Sequence, residues 1–350
     1  MSRERALKAI NFEDTDKIPQ LDTLSHPEYM KKLTGKDSFA SSWEGIAESY
    51  KMLDLDFVIY TEEGYVPQWE SDTEQISTEW GGGSTEWRTK FRCQSMDEVL
   101  AYDPWSDQER RSVSEITDIF FKNWTSIQNL FGSTALVSGG LYRTLFMWPV
   151  LTFGWELFMM SAASEPKKFK TVIDRFAEIS IRDTEAWAGT DIKIFASHDD
   201  LAMTSGLIFS PEWYRTYLFP WYKKIWKPLK EKGIKVIFIS DGDISAIIDD
   251  LVEAGVDGFR VEPMVSLKWL ANKYGRSKII IGNIDTKVLT FKGPREIEKE
   301  VERCVREAGN SLGYFLNVSG GIPQNIPLHN VEAYFKACKN LRCRNKQSMR

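Results

Sequence analysis

Eight short apolar runs, separated by segments that mostly show helical periodicity, constrain this chain more than any other property of its sequence. They fall at residues 17–22 (KIPQLD), 56–60 (DFVIY), 134–139 (TALVSG), 192–196 (IKIFA), 235–239 (KVIFI), 258–261 (GFRV), 278–281 (KIII) and 313–318 (GYFLNV). A parallel strand buried on both faces reads as such a run, and its neighbour is reached through a crossover, usually a helix. Residues 244–254 place Ile247, Leu251 and Ala254 on one helical face before Gly255, and residues 294–308 begin at Pro294 and stop at Gly309. Eight such units predict an α/β fold of the (β/α)8 TIM-barrel type. A doubly wound sheet would want a glycine-rich phosphate turn after its first strand, and Asp22-Thr23-Leu24-Ser25-His26 has no glycine.

The expected organisation is one barrel domain over residues 1–340, with residues 341–350 a polar, frayed tail. A 350-residue chain that is 42% hydrophobic can bury a core of that size, although two domains fit the length as well. Residues 61–108 break the repeat. They hold Gly64, Gly81, Gly82, Gly83 and the tryptophans Trp69, Trp80, Trp87 and Trp105, which predicts an inserted β excursion or lid after strand two. The apolar tract 141–158 is interrupted by Arg143, Pro149 and Gly154, so it predicts a loop and helix over the barrel mouth rather than a membrane span.

Net charge is −5, so no basic field would gather phosphates, and nucleic acid or an acidic membrane surface is excluded as a partner. The charged opening residues lack an apolar signal core, and the expected location is the cytoplasm. Cys93, Cys304, Cys338 and Cys343 form neither a CxxC pair nor a Cys/His cluster, which fits reduced thiols.

Active sites of such barrels stand where the strands end. Here those ends carry Asp22 with His26, Ser197-His198-Asp199-Asp200, Ser240-Asp241-Gly242-Asp243, Glu262, Asn283-Ile284-Asp285, and Asn317 before Ser319. Helix capping is the competing reading for Asp199, Asp200, Asp243 and Asp285. The opposite ends are poorer in acids, with Asp56, Asp191 and Asp257 the chief ones. His198, among acids, suits proton transfer; His26 is similarly placed, while His329 reads as structural. Trp87, Tyr142, Phe146, Trp148 and Trp155 suggest an apolar chamber over this polar floor, with core packing as the alternative for each.

From Asp199-Asp200-Leu201 through Ser210-Pro211-Glu212-Trp213, Pro220, Ser240-Asp241-Gly242-Asp243, Gly255-Val256-Asp257-Gly258, Glu262-Pro263, Tyr274-Gly275, Gly282-Asn283-Ile284-Asp285 and Asn330, the chain resembles the uroporphyrinogen decarboxylase superfamily, in particular its corrinoid-dependent methyltransferase branch. The resemblance implies a (β/α)8 barrel and leaves the reaction to be argued. True decarboxylases of that superfamily carry an arginine-rich loop after strand one; residues 17–50 contain no arginine, and an acidic mouth would repel a polycarboxylate. Its coenzyme M methyltransferases hold zinc through His-x-Cys after strand five and a cysteine near strand eight; Ile239, Asp241 and Ser319-Gly320 stand there instead. Zinc held by oxygen and imidazole ligands stays open, with no convincing ligand set and the metal unknown.

What the resemblance then implies is the first methyltransferase of an O-demethylase system. It moves a methyl group from a methoxylated aromatic donor to the cobalt of cobalamin carried by a separate corrinoid protein. On that reading the catalytic residues are His198, Asp199, Asp241 and Glu262, with Asp199 orienting His198. The substrate-binding residues are His26, Trp87, Tyr142, Phe146, Trp148, Asn283 and Asn317. A decarboxylase of a small acid and a non-catalytic ligand-binding barrel are the alternatives.

Overall fold

A computed structural model of the chain describes residues 2–36, 42–64, 75–80, 83–88 and 90–343. The predicted runs become parallel strands joined edge to edge. The third strand, Leu136–Val137 resuming as Gly139–Leu141, pairs with the fourth, Ile194–His198. Pairing continues to the fifth, Lys235–Ile239, the sixth, Gly258–Arg260, the seventh, Ile279–Ile281, and the eighth, Tyr314–Phe315. On the other side the second strand, Phe57–Val58, lies parallel to Leu136–Val137. Extended residues around Gln20 close the circuit. Leu21 N donates to Leu316 O (3.1 Å), Leu316 N to Pro19 O (2.9 Å) and Asp56 N to Gln20 O (2.8 Å). Eight strand positions therefore form one ring, a (β/α)8 barrel.

The interior is packed. Leu21, Phe57, Leu136, Ile194, Ala196, Ile237, Ile239, Ile279, Ile281 and Phe315 form one buried cluster, which Ala6, Ala9 and Ile10 of the opening helix Ser2–Ile10 join. That helix plugs the amino ends of the strands. Arg5 pairs there with Asp56, which also accepts from Gln20 N at 2.8 Å, and Arg342 bonds Gln20 Oε1 at 2.7 Å. The tail is thus not frayed from residue 341 as expected: Arg342 is buried because its guanidinium serves the carboxylates of Asp54 and Asp56. Residues 344–350 lie outside the described residues.

The outer helices follow their end signals. Ser112 and Glu115 form a reciprocal capping box on Val113–Phe131. Gly255, at φ 113°, ends Ile248–Ala254, and Ile247, Leu251 and Ala254 are buried as their spacing predicts. The excursion contains an antiparallel hairpin, Gln75–Trp80 with Gly83–Arg88. The apolar tract folds as two helices, Met147–Phe153 and Trp155–Ser164, broken at Gly154. Among the described residues no helix is long and apolar enough to cross a membrane.

Candidate active site

Strand register builds the site. His198 is level with Ile239, Ile239 with Arg260, Arg260 with Ile281, and Ile281 with Phe315. Paired positions on parallel strands face the same side. Because Ile239, Ile281 and Phe315 line the barrel interior, His198 and Arg260 face its axis too. Two residues further along each strand, at the carboxyl ends, stand Asp200, Asp241, Glu262, Asn283 and Asn317.

His198 and Asp200 form the central pair, with Nε2 3.2 Å from Asp200 Oδ1. The other ring nitrogen, Nδ1, lies 2.9 Å from Tyr142 O, and the Tyr142 ring leans over the imidazole at 4.5 Å between centroids. Burial opposes a charge on His198, but the Asp200 carboxylate, the Tyr142 carbonyl and Asp241 outweigh it and push its pKa up to about 9. The ring is therefore an imidazolium at neutral pH, donating from both nitrogens to fixed acceptors. Burial likewise opposes ionisation of Asp200, yet His198 holds its pKa below the usual range. Asp200 Oδ1 also accepts from Asp241 N at 2.8 Å.

Asp241 reaches the open mouth, and among the described residues its carboxylate accepts no hydrogen bond. Desolvation within the mouth, then the charges of Asp200 and Glu262, push its pKa up to about 6 against the pull of His198 and Arg260. Glu262 fixes the turn beside it, accepting from Gly242 N at 2.8 Å. Gly242 has φ 78°, and a Cβ there would lie 2.6 Å from backbone atoms of Ala202 and Met203, so only glycine fits. A cleft of about 550 Å³ opens at this turn, lined by Met203, Asp241, Glu262, Met264, Asp285 and Lys287.

The structure corrects several expectations. Asp199 does not orient His198. Neighbouring strand residues face opposite ways, so Asp199 turns outward and accepts from Leu145 N (2.6 Å), Met147 N (2.8 Å) and Tyr222 Oη (2.8 Å). Burial raises its pKa to about 6 against those donors. His26 is buried and caps the helix Pro27–Thr34: Nδ1 accepts from Tyr29 N at 3.1 Å, and Nε2 lies 2.8 Å from Ile326 O. No ring nitrogen remains for a substrate. Phe146 is fully buried among Trp155, Phe158, Phe209, Trp213 and Tyr214, and Trp148 packs on Phe176, so both are core. Asn283 ties loops together, donating to Val265 O at 2.8 Å and accepting from Arg303. Trp87 lies on the hairpin opposite Ile76, and its side chain is outside the described residues. Asp285 does act as a cap, accepting from Lys287 N, whereas Asp243 closes a local turn by accepting from Ser245 N and caps no helix.

Tyr142, more than half exposed, Asp241, Glu262 and His198 are brought together at the mouth, whereas Asn317 is fully buried, its amide donating to Leu21 O at 3.0 Å and accepting from Arg260 Nε at 3.2 Å, so it steadies Arg260 and does not face a substrate. Arg260 was missed as a site residue. The alternation Gly258, Arg260, Glu262 signals it, since those three share a face of one strand. Parity with His198 likewise singles out Asp200 over Asp199.

Zinc does not fit this site. Among the described residues no group of three His, Cys, Asp or Glu side chains is disposed to hold a metal, and both nitrogens of His198 are engaged.

An eight-stranded parallel barrel with titratable side chains at its strand ends defines a barrel enzyme by fold and site. More narrowly, the chain belongs to the uroporphyrinogen decarboxylase family: the family model described as Uroporphyrinogen decarboxylase (URO-D) matches residues 152–341. That span includes His198, Asp200, Asp241, Arg260 and Glu262. Similar curated proteins include uroporphyrinogen decarboxylase of Trichodesmium erythraeum, 30% identical over 133 residues, which are 38% of this chain and 37% of the relative. Another, from Thermus thermophilus, is 32% identical over 123 residues, 35% of each. The matched stretch spans little more than a third of the length of those relatives.

Over nearly the whole chain the fold is shared with a methyltransferase from Methanosarcina mazei, at TM-score 0.66 and 18% identity, covering 97% of this chain and 98% of that one. It is shared more distantly with a B12-independent methionine synthase from Shewanella sp. W3-18-1, at TM-score 0.52 and 9% identity, covering 93% and 96%.

Proposed function

We propose that this protein is a methyltransferase that takes a methyl group from a methoxylated aromatic compound and passes it to the cobalt of a separate corrinoid protein. The observation that carries the reading is Asp241, an acid with pKa raised to about 6, free of hydrogen bonds from the described residues and facing the open cleft beside the His198 cation. An aryl methyl ether is hard to cleave because its leaving group is a phenolate. In the transfer, the electron pair of the partner's reduced cobalt forms the bond to the methyl carbon. The pair of the breaking C–O bond goes to the ether oxygen, which takes the proton of neutral Asp241. His198 keeps both protons on Asp200 and Tyr142 and acts as a fixed positive charge near the developing anion. Glu262 holds the Gly242 turn and so sets the direction of Asp241, while Tyr142 walls the ring.

Two further features support this reading. The likeness to the Methanosarcina methyltransferase extends over nearly the whole chain, and the residues after strand one lack the arginines a polycarboxylate would need. The direct test incubates the protein with a purified corrinoid protein, a reductant and a panel of methoxybenzenes. Methylcobalamin absorbance with at least one donor is expected, and none with any donor overturns the proposal. The names of the curated relatives favour a second reading, decarboxylation of a small acid. Carbon dioxide released without any corrinoid would select it.

A further inference from the structure

At the end of the barrel opposite the mouth, a cleft of about 620 Å³ lies between the helices Pro27–Thr34, Trp43–Leu53 and Leu328–Leu341. Pockets that take small organic molecules are of that size, roughly 300–1,000 Å³. Leu33, Met52 and Leu53 give it an apolar wall, on which Met52 stands more than half exposed. Around that wall Lys17, Lys32, Lys336, Lys339 and Arg342 face two carboxylates, Asp54 and Glu332, in a chain whose net charge is −5. Lys17 pairs with Asp54 and Lys32 with Glu332. Lys336 and Lys339, one turn apart on the same helix, meet no carboxylate among the described residues, and like charges at that spacing repel.

Two buried donors at the cleft are also unmet. Tyr29 is 6% exposed and lines it, and its hydroxyl has no hydrogen-bond partner among the described residues. Arg342 gives Nη1 to Gln20 and Nη2 to Asp54 O but leaves its buried Nε without a partner. The last residues of the chain do not match this charge, since 344–350 hold Arg344, Lys346 and Arg350 and no acid. Tyr29 and Phe335 stack on each other at 5.3 Å and 6°, both more than nine-tenths buried, so a planar base finds no open ring face there. A flexible chain can follow Leu33, Met52 and Leu53 instead.

We propose that this cleft binds a single aliphatic chain with a small anionic head, a carboxylate or a phosphate monoester. The chain lies along Leu33, Met52 and Leu53, and Lys336 and Lys339 take the head as point charges, with the Tyr29 hydroxyl as a further donor. The assignment is independent of the methyl-transfer reading.

The test titrates octanoate, octyl phosphate, hexanoate, acetate and neutral octanol into the whole chain and follows the Met52 methyl group by proton–carbon NMR, its signal assigned with M52L. A saturable shift of that signal is expected with octanoate and octyl phosphate, and the tighter of the two names the head. Octanoate should bind about 10-fold more tightly than hexanoate, because each buried methylene contributes about 3- to 4-fold. It should exceed octanol by about 5-fold, a ratio that falls to near one in K336Q/K339Q, where both replaced side chains are exposed and the fold is kept. Acetate binding as well as octanoate would mean an adventitious ion only and overturns the proposal. So does octanoate binding that leaves the Met52 signal unmoved, or an octanoate-to-octanol ratio unchanged in K336Q/K339Q. Sedimentation of the protein with phosphatidylglycerol vesicles would make the face a membrane contact and overturns a free ligand.

Discussion

Replacing Asp200 by asparagine keeps the shape of the side chain and removes the charge that holds His198 protonated. In the parent, His198 stands at about 9 against an ordinary value of 6.5, although burial alone would lower it. Without the Asp200 charge, burial is opposed only by the Tyr142 carbonyl and the more distant Asp241, and the pKa should fall by about two units. At 1.36 kcal/mol per unit, the coupling is on the order of 3 kcal/mol. Histidine is raised in the folded state, so this stabilisation is complete below pH 6.5 and disappears as pH rises through about 9. The chain has only three histidines, so proton–carbon NMR of the ring Cε1 groups follows each one separately. Urea unfolding of parent and D200N over the same pH range supplies the stability difference. A parent His198 that titrates near 6.5, or a D200N protein in which it stays near 9, would refute the argument.

Three further outcomes are expected from the same geometry. D241N removes the proposed acid and should lower the rate of methyl transfer about 100-fold, while the parent rate declines as pH rises through about 6; steady-state kinetics against pH would show both. D199A strands two backbone N–H groups and the Tyr222 hydroxyl in the core and should cost about 3 kcal/mol in urea unfolding, with D199N milder because one oxygen remains. R342A leaves buried Asp56 with Arg5 as its remaining cation and should cost about 3 kcal/mol, although the mouth is at the other end of the barrel; unchanged unfolding would show that the tail does not anchor the fold.

Strand positions and the row of polar ends were legible because a parallel barrel has a strict pattern: apolar runs at crossover spacing, side chains alternating in and out. The same alternation also fixes which neighbours share a face. His198 facing inward forces Asp199 outward and Asp200 inward, and an inward Gly258 puts Arg260 on the axis. The aromatic wall was not legible. Residues 141–158 are apolar on nearly every face, so their composition does not say which rings meet the mouth; Tyr142 does, and Phe146 joins a ring cluster. The role of His26 depended on a carbonyl 300 residues away, Ile326 O, which no local pattern reveals. Arg342 was hidden for the same reason, its partners being near the start of the chain.

The seam between the first and last strands has a consequence for how activity appears during refolding. Asn317, the residue that steadies Arg260, bonds Leu21 across 296 residues of chain, and Leu316 pairs with Pro19 and Leu21. Contacts so distant in sequence close slowly, after local helices and neighbouring strand pairs have formed. A refolding chain would therefore recover helical circular dichroism while its floor is still open and its arginine unsteadied. Ligand affinity should return later than secondary structure, making a bound donor a reporter of ring closure.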